Sequence, residues 1–96
     1  MKYLIKGFIW PAHITEKCLG KHGVSPDEAE EAFSNDSRFK FWEKGDVPGE
    51  NFYQCLGRSD GGRYLTVFFI FKETGEALII SARDMDAKEK RRYGKK

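Results

Sequence analysis

Apolar and polar positions change their spacing several times along the chain, and each change marks the edge of an element. Alternation from Lys2 to Ile9 predicts a first strand, ended at Trp10 and Pro11 because proline cannot donate to a sheet and restricts the residue before it. A short helix over about Ala12 to Lys21 follows, with Gly23 placed to close it in a left-handed conformation. Ser25, Pro26, Asp27 and Glu28 then supply an N-cap, a first-turn proline and a capping-box glutamate, and Val24 is spaced to staple onto Ala29. These residues start a second helix that runs to about Phe33. From Arg38 to Trp42 the period is two, with Phe39 and Phe41 on one face and Arg38, Lys40 and Trp42 on the other, which predicts a strand.

The glycines and proline between Lys44 and Asn51 make a loop, and Phe52 to Arg58 a further strand. Ser59-Asp60-Gly61-Gly62 is a turn of the kind that joins antiparallel strands. Tyr64 to Phe71 is almost continuously apolar, as expected of a central strand covered on both faces. Glu73-Thr74-Gly75 turns the chain into a strand over Ala77 to Ser81, so the last three strands form a meander, and a helix from about Asp84 to Tyr93 closes the chain. The fold class expected is α+β, an antiparallel meander packed with short N-terminal helices and a C-terminal helix. With 96 residues the chain is long enough for one two-layered core and too short for two, so residues 1–96 are read as one domain.

Composition narrows the class of function. A hydrophobic share of 40% beside 33% charged residues is that of an ordinary globular protein, and no apolar run approaches the roughly 18 residues needed to span a bilayer. The opening MKYLIKGFIW is too short in its apolar part, and lacks the small-residue cleavage site, for a signal peptide. A cytoplasmic, membrane-free protein is the expectation. Cys18 and Cys55 fall on different elements with no second pair, so neither a disulfide framework nor a four-ligand zinc site is expected, and reduced thiols are. Gly57, Gly61 and Gly62 sit in a hairpin and match no phosphate-loop or dinucleotide spacing; neither a cofactor nor a metal is implied.

The net charge of +2 would not by itself suggest a nucleic acid, and its distribution matters more than the sum. Lys88 to Lys96 carries six positive charges against Glu89 alone. On the predicted helix Lys88, Arg91, Arg92 and Lys95 share one flank, and Met85, Glu89 and Tyr93 line the adjacent one. One reading is a solvated basic helix whose charges meet the negative end of its dipole. The other is a phosphate-binding surface, to which Arg83 and Arg63 would add forked donors, because pairing across the Glu73 to Gly75 turn brings both to one end of the sheet. His22 has two readings as well, a C-terminal helix cap or a group that exchanges protons near neutral pH. Cys18 has no residue placed to activate it and reads as helix packing.

Three blocks, KHGVSPDEAEEAF (Lys21 to Phe33), GGRYLTVFF (Gly61 to Phe69) and IISARDMDAKEKRRY (Ile79 to Tyr93), together resemble the BrnT family, the toxin half of BrnT/BrnA toxin–antitoxin pairs. The ISAR sequence followed by a Glu-x-x-x-Tyr helix is the most specific of them. Pro11, Ile14 and Cys18 stand where the family pattern carries an acidic residue, a lysine and an asparagine. The resemblance implies a compact RelE-like fold, a ribonuclease that stops translation, RNA as its substrate, and a BrnA-like DNA-binding antitoxin covering the active surface. Metal-independent cleavage needs the 2′-hydroxyl deprotonated, the phosphorane charge stabilised and the leaving 5′-oxygen protonated. On that footing Arg63 and Arg83 would meet the phosphate, His22 or Glu89 would handle protons, and Tyr93 would stack a base or act as a weak acid. Lys21, Lys88 and Arg92 would hold the flanking backbone, and Lys40 with Trp42 would extend the track. A docking module without catalysis, and a nucleic-acid-binding domain that no longer cleaves, are the alternatives.

Overall fold

The computed structural model describes residues 5–94. Its elements are β1 (Gly7–Ile9), α1 (Ala12–His22), α2 (Pro26–Ser34), β2 (Arg38–Glu43), β3 (Phe52–Arg58), β4 (Tyr64–Phe71), β5 (Glu76–Asp84) and α3 (Ala87–Gly94). They form an α+β fold with one five-stranded sheet in the order β1-β5-β4-β3-β2. Strands β2 to β5 pair antiparallel in sequence order, as the turn signals predict. The sheet is nonetheless mixed, because β1 joins β5 in parallel, Phe8 opposite Ala77. Residues 2–4 of the expected first strand, and Lys95 of the expected basic flank, lie outside the described residues.

Local chemistry accounts for the helix starts. At α2 the Glu28 N–H donates to Ser25 Oγ at 3.2 Å and the Ser25 N–H to Glu28 Oε1 at 3.1 Å, the reciprocal capping box that the sequence predicts. Gly23 closes α1 at φ 63°, in the left-handed region that glycine reaches without a Cβ penalty. The last helix starts three residues later than the expected Asp84. Asp86 takes the N-cap: its Oδ1 accepts from the Glu89 N–H at 2.8 Å, and Glu89 Oε1 accepts from the Asp86 N–H at 2.9 Å. The residues before that cap extend β5 past Ser81, so Arg83 pairs with Thr66 and Asp84 with Leu65 inside the ladder.

The two faces of the sheet differ. On one, Leu65, Val67, Phe69, Ala77, Ile79, Ala82 and Cys55 pack against Ile14, Cys18, Val24, Ala29 and Ala32 of the α1–α2 layer, all buried. Contact here is close enough to demand a glycine, since a Cβ on Gly57 would lie 1.9 Å from the Ala32 carbonyl oxygen. The second face carries α3 at one end only, where Leu56, Met85 and Tyr93 make a small separate cluster. The expectation that β4 is covered on both faces therefore holds for Thr66, which is fully buried, and fails for Phe68 and Ile70, which stay partly exposed. No helix among the described residues is long and apolar enough to cross a membrane.

Candidate active site

The end of the sheet beneath α3 is organised around a buried carboxylate. Glu89 is 5% exposed, and its two oxygens accept five hydrogen bonds. Oε1 receives Arg83 Nη1 at 2.8 Å, the Thr66 hydroxyl at 2.9 Å and the Asp86 N–H at 2.9 Å. Oε2 receives Arg83 Nη2 at 2.9 Å and Gln54 Nε2 at 3.0 Å. Register explains the convergence, because Thr66 lies opposite Arg83, and Gln54 lies opposite Phe68, two residues further along the same face. Burial acts to raise the Glu89 pKa, but the Arg83 fork, the Asp86 N–H and the Thr66 hydroxyl outweigh it and hold the carboxyl below its ordinary value. An anion so fully solvated by the protein is a poor proton acceptor. In this geometry the Glu89 carboxylate, expected from the sequence to handle protons, holds the Arg83 fork.

Its partner Arg83 is raised in pKa chiefly by the hydrogen bond to Glu89. Beyond the fork, Nη1 donates to the Asp84 carbonyl at 3.1 Å, and the guanidinium carbon lies 5.6 Å from the centre of the Phe68 ring. Three of the five N–H groups are thereby committed. The Nε hydrogen and one Nη2 hydrogen have no partner among the described residues. The Arg83 fork and the Asp86 N–H at the start of α3 meet one anion, and it is the protein's own Glu89.

Arg63 is spent differently. Nε and Nη2 form a fork on Asp84 at 2.7 and 3.0 Å, Nη1 reaches the Gly23 carbonyl at 2.8 Å and the Glu28 carboxylate at 3.5 Å, and Nη2 reaches the His22 carbonyl at 2.8 Å. Every donor is used, and the effect is to tie the end of α1 and the cap of α2 to β5. The Arg63 hydrogen bonds hold the Asp84 carboxyl below its ordinary range. Arg63 and Arg83 do reach the same end of the sheet, as pairing predicts, but Arg63 grips Asp84, which follows Arg83 on β5 and so points to the opposite face, and the two forks do not converge. Lys21 and His22 stand on the Arg63 side; His22 contributes its carbonyl to the arginine, while Lys21 is exposed.

Tyr93 is 6% exposed, and its hydroxyl donates to the Asp36 carbonyl at 2.9 Å. Asp36 has φ 51°, an uncommon conformation for a residue with a side chain, and Tyr93 fixes that turn from above. The ring is covered by the Arg38 guanidinium, 5.2 Å from its centre, and by the edge of Tyr64. The ring and the hydroxyl of Tyr93, expected from the sequence to stack a base or act as a weak acid, are thus both engaged by the protein.

The remaining predicted residues do come together. On the open face, Lys40 lies opposite Gln54 and Gln54 opposite Phe68, while Trp42 packs edge-on to Phe68 with ring centres 5.1 Å apart. Arg92 donates to Gln54 Oε1, and Lys88, exposed, precedes Arg92 by one helical turn. Register and these contacts put Lys40, Arg92 and Arg83 on the face that carries Trp42 and Phe68, with Lys88 exposed one turn before Arg92. Gln54, Thr66 and Asp86 were missed in the sequence. Asp86 and Glu89 at a capping-box spacing, and two polar residues inside apolar strands, were the signals for them.

The family model for "Ribonuclease toxin, BrnT, of type II toxin-antitoxin system" matches residues 10–89. The chain belongs to the BrnT family. BrnT proteins are the ribonuclease toxins of type II toxin–antitoxin pairs, so RNA is the substrate and an antitoxin the partner. The crystal structure of the ribonuclease toxin BrnT from Brucella abortus shares the fold, with a TM-score of 0.59 at 20% identity over 83% of this chain and 96% of that one. No curated protein matches. Pro11, read in the sequence as a departure from the family pattern, is the N-cap of α1, and Ile14 and Cys18, read likewise, are buried in the core.

Proposed function

We propose that this BrnT protein acts in the cytoplasm as one RelE-like domain that cleaves RNA without a metal, so arresting translation, and that the open face between α3 and β2 is where it does so. A BrnA-like, DNA-binding antitoxin covering that face is the matching partner. The observation that carries the reading is Arg83: Glu89 orients its guanidinium, whose carbon lies 5.6 Å from the Phe68 ring centre, and two of its N–H groups are left without a partner among the described residues. A guanidinium fixed in advance stabilises charge that develops on a phosphorane without having to reorganise.

In the reaction the RNA 2′-oxygen attacks phosphorus, the bond to the 5′-oxygen breaks, and a 2′,3′-cyclic phosphate and a 5′-hydroxyl result. Both histidines belong to α1, in the other layer, and Glu89 is saturated, so hydroxide takes the 2′-proton and water returns one to the leaving oxygen. Cleavage measured in EDTA against pH tests this. The logarithm of the rate is expected to rise steadily from pH 6 to 9, whereas a plateau near the ordinary histidine pKa of about 6.5 would point to His22 as the base. No product from the wild type at any pH would favour a docking module without catalysis.

A further inference from the structure

Beside the catalytic face lies a shallow cavity of about 250 Å³ lined by Trp42, Glu43, Phe52, Phe68 and Ile80. It is smaller than the roughly 300–1,000 Å³ of sites for drug-sized ligands, a size suited to one planar ring system. Two features are unusual for a surface hollow. Trp42 is left 47% exposed although its ring is held edge-on to Phe68. The ladder between β2 and β3 also slips between Phe41 and Glu43, so that the consecutive residues Trp42 and Glu43 both border the same cavity. Bulges commonly re-aim side chains in this way.

Glu43 makes no side-chain hydrogen bond or ion pair among the described residues. A carboxylate accepts and does not donate, so it selects among bases by the donors they show. Guanine presents two adjacent donors, N1–H and the N2 amino group, that match the two carboxylate oxygens. Adenine and cytosine place a ring acceptor beside their amino group, and uracil flanks its donor with two carbonyls. Phe68 lies between Trp42 at 5.1 Å and the Arg83 guanidinium at 5.6 Å, so a base stacked in the cavity is separated from Arg83 by that one ring.

We infer that this cavity is a base-recognition subsite for guanine, with Trp42 and Phe68 as its stacking walls and Glu43 as its reader, and that the toxin cleaves RNA beside guanosine. The inference rests on the open face being the RNA surface. Binding of non-cleavable 2′-deoxy-substituted oligomers that differ at one base, followed by fluorescence anisotropy, and cleavage of the matching RNAs together test it. Guanine is expected to bind roughly 10- to 100-fold more tightly than the other three bases, with inosine, which lacks the N2 amino group, in between. In Glu43→Gln, an isosteric change at an exposed position, the ratio of guanine to adenine should collapse toward one, and Trp42→Ala should weaken all four oligomers. A wild type without base preference, or a Glu43→Gln variant that keeps it, overturns the subsite. Lys40→Ala distinguishes the two levels: if it weakens every oligomer while Glu43→Gln changes no ratio, the RNA face stands and the guanine subsite falls. If neither variant changes binding, both fall. Loss of antitoxin binding in Trp42→Ala with RNA binding intact would make the cavity a protein contact and overturn the inference.

Discussion

A buried carboxylate with five donors is stable only while the donors remain, so Arg83 and Glu89 cannot be altered independently. Arg83→Lys keeps the charge and loses the fork. It is expected to destabilise the fold by about 1.5–3 kcal/mol, as for other hydrogen bonds to a charged group, and to be non-additive with Glu89→Gln in urea denaturation. Cleavage per folded molecule, measured at a temperature where circular dichroism shows the variant fully native, should still fall on the order of a hundredfold. A rate equal to wild type under that condition would leave Arg83 as support for Glu89 alone. Acid acts on the same carboxyls. Glu89 and Asp84 have folded pKa values below their ordinary values of 4.5 and 3.8, so the stability they contribute is fully present above those values and is lost as pH falls through the lower, folded ones. The thermal midpoint should therefore hold from pH 7 to about 5 and drop below it, with a smaller drop in Glu89→Gln.

At the level of elements, what the sequence shows depends on how local the cause is. The Ser25 cap, the phase of Phe39 and Phe41, and the bounds of β3 and β4 follow from neighbours within a few residues, and they stand as read. The parallel pairing of β1 with β5 joins segments some 70 residues apart, and nothing in the GFI segment announces it. Alternation ends β5 at Ser81, because Arg83 and Asp84 look like the polar start of a helix; their charges are met instead by Glu89 and Arg63, which alternation cannot reveal. The candidate site is divided for the same reason. Spacing places Lys88 with Arg92, but only register brings Lys40 and Trp42 to them and keeps Arg63 away. The two capping boxes permit a direct comparison. Ser25→Ala and Asp86→Ala should each cost about 0.5–2 kcal/mol, read from the urea midpoint at constant slope, and Asp86→Ala should in addition lower cleavage because it loosens the helix that carries Glu89.

Over the whole molecule, charge is arranged so that a net of only +2 produces a strongly basic region. One layer holds the acidic start of α2 and a closed system of Arg63, Asp84 and Glu28, while the open face carries Lys40, Lys88 and Arg92 around its aromatic patch. A phosphate backbone laid on that face would displace counterions only from the cations it meets. For single-stranded RNA each such contact contributes about 0.7 to the slope of log affinity against log salt. Lys40→Ala, Lys88→Ala and Arg92→Ala are thus each expected to flatten the slope by about 0.7 or less, for every RNA sequence alike. Lys21, exposed at the end of α1 in the other layer, was expected from sequence to share the track, and its surroundings now argue against it. Its substitution by alanine should leave both affinity and slope unchanged. Equal flattening by Lys21→Ala and Lys88→Ala would mean that the RNA passes around the Arg63 end of the sheet, and the cleavage surface would then have to be redrawn to include His22.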